Sequence, residues 1–141
     1  MVTCIRRIQF CSGHRVMNHE SKCRNVHGHN YVAYFHAVAP QLDSIGRVID
    51  FSVLKDRLGG WIDKHWDHAF IINALDFTLL NALNCIEHEK PLFVAPFNPT
   101  AEEMARHLLY EIAPIELKGT EVTIVKVVLW ETENCFVEVS L

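Results

Sequence analysis

From Val2 to Cys11 apolar and polar residues alternate, with Val2, Cys4, Ile8 and Phe10 on one side and Arg7 and Gln9 on the other, which predicts a half-buried first strand. Ser12-Gly13 interrupts that alternation and leaves His14 at the strand end, and residues 15–26 are polar and irregular, as in a loop. Asn30 to Ala39 predicts a second strand with aromatic and small apolar residues on both faces, closed by Pro40. After the turn at Asp43-Ser44-Ile45-Gly46, Asp50 or Ser52 is placed to cap a helix reaching about His65. Its inward stripe is Leu54, Leu58, Trp61, Ile62 and His65, and Gly59-Gly60 predicts a bend or break within it.

A short helix follows from Asp76 to about Ile86, and Lys90 to Pro99 reads as a proline-rich connector. Thr100 with Glu103 three residues on forms a capping box for a helix turning Met104, Leu108, Ile112 and Ile115 inward, its last turn disturbed by Pro114. Thr120 to Trp130, rich in β-branched residues, and Phe136 to Leu141 predict two closing strands. Strands in sequential pairs around helices indicate an α+β domain, with helices on one face of an antiparallel sheet.

Half of the 141 residues are apolar, enough for one sizeable core, so residues 1–141 are expected to form a single domain. The net charge of −4 offers no basic footprint for nucleic acid or an anionic membrane. No apolar run approaches the roughly 20 residues of a spanning helix. The first residues lack the pattern of a secretory signal. Five cysteines without C-x-x-C spacing suit free thiols in a reducing cytoplasm.

The chemistry concentrates in Cys23-Arg24-Asn25-Val26-His27-Gly28-His29-Asn30-Tyr31, read with His14. On a strand, His27 and His29 share a face, and Gly28 between them permits close approach. Three neutral imidazoles (His14, His27 and His29) leave a fourth zinc position for water or substrate, the pattern of a catalytic site. Cys23 has two readings, a fourth ligand that closes the site or a thiolate base beside the metal. Glu131 ends an apolar strand on the face of Val125, Val127 and Leu129, where a carboxylate needs a partner.

The ordered set Phe10, His14-Arg15, Cys23-x-x-x-His27-Gly28-His29-Asn30-Tyr31, Asp50-Phe51, Asp67-His68, Asn98-Pro99-Thr100-Ala101-Glu102 and Glu131-Thr132 resembles the family of 6-pyruvoyltetrahydropterin and 6-carboxytetrahydropterin synthases over nearly the whole chain. The resemblance implies the tunnelling fold, a four-stranded antiparallel sheet with two main helices on one face. It implies that three such sheets close a barrel, that two trimers stack into a hexamer, and that active sites lie at subunit interfaces. It implies a zinc-dependent lyase acting on a small pterin triphosphate, 7,8-dihydroneopterin triphosphate. In that scheme His14, His27 and His29 hold Zn2+ and Cys23 is the base. Asp67 and His68 relay protons with Cys23, Glu131 accepts hydrogen bonds from the pterin ring, and Thr100 lines its pocket. A free thiol titrates near 8.5, so such a base requires neighbouring positive charge.

The three residues between Cys23 and His27 resemble the carboxy-type enzymes, which release acetaldehyde and triphosphate to leave 6-carboxytetrahydropterin, a precursor of 7-deazaguanine bases. The alternative product is 6-pyruvoyltetrahydropterin, and the alternative of another class is a non-catalytic zinc- or pterin-binding domain. Residues 69–97 exceed the matching segment of shorter members, so Asp76 to Phe97 is expected to add a helix and loop over the site or at a subunit contact.

Overall fold

The computed structural model describes all residues, 1–141. Its centre is a six-stranded mixed sheet in the order β4-β3-β1-β2-β5-β6. The strands are β1 (Cys4–His14), β2 (His27–Val38), β3 (Ala69–Asn73), β4 (Phe93–Ala95), β5 (Thr123–Trp130) and β6 (Phe136–Ser140). Strands β1, β2, β5 and β6 form the expected antiparallel set, while β3 joins β1 and β4 joins β3 in parallel. The sheet is therefore not the four-stranded antiparallel one expected. Ala69–Asn73 is a short, nearly all-apolar run without alternation, as parallel strands buried on both faces tend to be. Phe93–Ala95 is a three-residue strand inside the proline-rich connector.

Helix α1 spans 51–65, α2 is Phe77–Asn84, and α3 spans 101–116. Gly59-Gly60 does not break α1. A π turn over Lys55–Gly59 carries the helix through, and a Cβ on Gly59 would lie 3.4 Å from Ile8 Cδ1, so the glycine brings the helix close to β1. In α3 a π turn over Leu108–Ile112 precedes Pro114, which occupies the first turn of the segment Ala113–Glu116. Met104, Leu108 and Ile112 are buried as expected, but Ile115 is 64% exposed, and Ala113 and Leu117 take the inward positions after that turn.

The core packs α1 and α3 on one face of the sheet. Leu54, Leu58 and Ile62 from α1 and Met104, Leu108 and Leu109 from α3 meet Phe10, Tyr31, Phe35, Val127 and Leu129 from the strands. No helix is long and apolar enough to cross a membrane.

Candidate active site

Both strands carrying the histidines are longer than the hydrophobic pattern suggests. β1 continues through Ser12-Gly13, and β2 begins at His27, so that Ser12 pairs with His29, Gly13 with Gly28 and His14 with His27. The register puts all three imidazoles on the helix-covered face at one end of the sheet. A Cβ on Gly28 would stand 2.9 Å from the Ser12 carbonyl oxygen, so the close pairing of the two strands requires glycine there.

The candidate ligand atoms of His14, His27 and His29 lie within 4.8 Å of one another. His14 Nδ1 is 2.7 Å from the Pro99 carbonyl oxygen and His27 Nδ1 is 2.6 Å from that of Asn25. A carbonyl only accepts, so each ring donates from Nδ1 and presents Nε2 as its acceptor, the usual outer support of a metal-ligating histidine; His14 Nε2 also lies 3.2 Å from the Tyr31 hydroxyl. His29 Nε2 is buried with no hydrogen-bond partner and lies 3.6 Å from Glu131 Oε1. Burial, with a smaller contribution from neighbouring imidazoles, lowers the His14 pKa to about 4 despite the Pro99 bond, and it lowers that of His29. Both rings are therefore neutral at physiological pH. Three imidazoles converging at one point, one of them with an otherwise orphaned nitrogen, fit a divalent metal ion.

The Asn98-Pro99-Thr100 stretch holds this arrangement from behind. Asn98 exchanges two hydrogen bonds of 2.9 Å with the Met17 backbone, Pro99 receives His14, and Thr100 caps α3 through the Glu103 N–H at 3.2 Å. Arg15 forks onto Asp76, which is 3% exposed and also caps α2. Hydrogen bonding from Arg15 outweighs burial and holds the Asp76 carboxyl below the ordinary range.

Cys23 sits in a 3-10 turn, Lys22–Arg24, within the expected loop. It lies outside the three-histidine cluster and lines a cavity of about 340 Å3 with Val16, His19, Thr100, Glu131 and Phe136. Burial raises the Glu131 pKa, an effect reinforced by Glu102 and opposed by His27, as befits a carboxyl awaiting donors. A bulge in β5 opposite His36/Ala37 changes the alternation, so Ile124 rather than Val125 turns inward with Val127 and Leu129.

Asp67 and His68 stand elsewhere. His68 Nδ1 is 2.8 Å from Asp67 Oδ2, and Asp67 Oδ1 accepts the Cys11 N–H at 2.8 Å. Burial pushes the Asp67 carboxyl up, but the bonds from Cys11 and His68 prevail and hold it below its ordinary value. His68 has a positive φ of 56° and a side chain 76% exposed. It opens onto a separate cavity of about 380 Å3 whose lining includes Cys11, Gly13, Asn30, Phe70 and the cluster residue His29. One chain thus joins Cys23, Thr100 and Glu131 in one cavity and leaves His68 in another.

All five thiols are free, and those of Cys85 and Cys135 are exposed. Cys135 also lines the Cys23 cavity. His65 packs against Trp61 with ring centroids 4.8 Å apart. His19 is the cavity residue that sequence reasoning missed, because its loop position carries no periodic or motif signal.

The model of the 6-pyruvoyl tetrahydropterin synthase family matches residues 3–140. The chain belongs to that family. Among its members, 6-carboxy-5,6,7,8-tetrahydropterin synthases of Rickettsia bellii and Rickettsia felis are 38% and 40% identical over 139 residues, covering 99% of this chain and 100% of each relative. An uncharacterized protein of Wolinella succinogenes shares the fold with a TM-score of 0.83 at 24% identity, covering 99% of this chain and 97% of that one. The Caenorhabditis elegans 6-pyruvoyl tetrahydropterin synthase does so with a TM-score of 0.69 at 23% identity, covering 99% and 95%.

Proposed function

We propose that this member of the family is a zinc-dependent lyase converting 7,8-dihydroneopterin triphosphate and one water to 6-carboxytetrahydropterin, with release of acetaldehyde and triphosphate. The observation that carries the reading is the placement of Cys23, Thr100 and Glu131 around one cavity beside three converging imidazoles. The carboxy product rather than the pyruvoyl one is supported by the names of the Rickettsia relatives and by the three residues between Cys23 and His27.

Glu131 anchors the pterin ring, its two carboxylate oxygens accepting from the ring amino group and the adjacent N–H. A carboxyl partly desolvated in the empty cavity regains there the donors it lacks. Thr100 borders the ring while its Oγ1 accepts from the Glu103 N–H. Cys23, as thiolate, takes a proton from the substrate side chain. Zinc held by His14, His27 and His29 supplies Lewis-acid polarisation of the side-chain oxygens, which makes the neighbouring C–H protons acidic. Asp67 holds the Nδ1–H of His68, so the exposed Nε2 is the atom that exchanges protons.

Because Cys23 and His68 open into different cavities of one chain, the reading requires His68 to come from a neighbouring subunit. A trimer-based barrel, doubled to a hexamer, supplies such an interface and closes the free edges of the sheet. The substrate is a soluble metabolite and the site of action is the cytoplasm.

The reading as a non-catalytic domain with Cys23 as fourth ligand is weakened by the position of Cys23 outside the cluster. Metal removal tests the proposal. Purified protein is expected to hold about one zinc ion per chain. Exhaustive chelation should abolish turnover of dihydroneopterin triphosphate, and zinc should restore it. Full turnover by metal-free protein would overturn the proposal.

A further inference from the structure

The cavity that holds Cys23 and Glu131 has a neighbour. A second cleft, of about 770 Å3, is bordered by Arg15, Asn18, Arg24, Asn25 and Asp76. Val16 and His19 line both spaces and form the wall between them. This wall is built into the loop that carries Cys23. The Val16 N–H donates to the Cys23 carbonyl at 2.8 Å, and the His19 N–H donates to the Val16 carbonyl at 3.2 Å. Asn98 fixes Met17 in the same loop, and Asn18 adopts a positive φ of 64° to complete the turn.

The His19 ring has a defined hydrogen-bonding state. Its Nδ1 lies 2.9 Å from the Ser21 backbone nitrogen, whose N–H donates to it. Nδ1 is thus an acceptor, and the 3.9 Å approach of the 89% exposed Glu20 carboxylate to the same atom is no hydrogen bond. In this tautomer the ring's one donor is Nε2–H. Charge in the second cleft also has a clear sign. Arg15 and Asp76 are committed to each other, whereas Arg24 has no carboxylate partner, which leaves a surplus of positive charge.

Resting on the reading given under Proposed function, we infer that the second cleft is the subsite for the substrate's polyphosphate arm. His19 Nε2–H holds that arm where it leaves the ring cavity, and Arg24 receives it beyond. The reacting side chain is then held from both ends, by Glu131 at the ring and by His19 and Arg24 at the phosphates, with Cys23 between. Such tethering restricts the side chain to geometries within reach of the base.

Equilibrium binding of two ligands, 7,8-dihydroneopterin triphosphate and 7,8-dihydroneopterin, tests this in zinc-loaded protein carrying Cys23→Ala to suppress turnover. His19→Asn keeps an acceptor for the Ser21 N–H and removes the Nε2 donor. It should weaken the triphosphate about tenfold and leave dihydroneopterin unchanged. His19→Gln, which places its amide near the Nε2 position, should recover part of the lost affinity. Arg24→Gln should weaken the triphosphate by a similar factor and flatten its dependence on salt. Equal weakening of both ligands, or of neither, would overturn the subsite. Failure of the unaltered loop to bind dihydroneopterin at all would instead count against the Glu131 site itself.

Discussion

Cys23→Ala is expected to lower turnover of dihydroneopterin triphosphate by about a hundred- to ten-thousand-fold, the range for losing a positioned acid or base. KM and bound zinc should change little. The dissociation of metal from activity follows from the position of the thiol, which borders the ring cavity but stands outside the cluster formed by His14, His27 and His29. A fourth ligand would behave differently, because its removal would open the coordination sphere and weaken the metal along with the chemistry. Metal analysis and steady-state kinetics on the same preparation separate the two roles. Loss of zinc in parallel with activity would restore the closed, structural reading of the site.

The second large effect concerns assembly. Cys23→Ala and His68→Ala homo-oligomers should each be nearly inactive. Mixed subunits, dissociated and reassembled in equal amounts, should regain roughly a quarter of wild-type activity, because half of the Cys23 positions meet half of the His68 positions intact. The expectation comes from one geometric fact, that Cys23 and His68 line different cavities of the same chain. A mixture that stays as inactive as its parents would mean that each site is completed within one chain. The Asp67–His68 bond of 2.8 Å makes His68→Ala the informative partner, since the variant leaves the Asp67 bond to Cys11 in place.

The three-histidine cluster was legible in the sequence because His-x-His on an extended strand has few geometric options, and the sheet pairs His14 directly with His27. Thr100 and Asp50 were legible as helix caps for an equally local reason, a short polar side chain before an apolar helical stripe. Long-range features were not. The parallel strands Ala69–Asn73 and Phe93–Ala95 are defined by neighbours far along the chain, and neither has an alternation of its own. The uninterrupted apolar run of Ala69 to Ile72 was the available signal. The π turn of α3 and the bulge at Val125 each add one residue to a regular period, so they moved Ile115 and Val125 off the faces that simple counting assigns. The separation of His68 from Cys23 was invisible for a different reason, since a motif records which residues occur and not which cavity each one enters.

Product analysis is the most direct test of the central claim. Zinc-loaded protein incubated with 7,8-dihydroneopterin triphosphate should yield 6-carboxytetrahydropterin by mass, with acetaldehyde and triphosphate in equal amounts. Recovery of 6-pyruvoyltetrahydropterin without acetaldehyde, or of unchanged substrate, would contradict it.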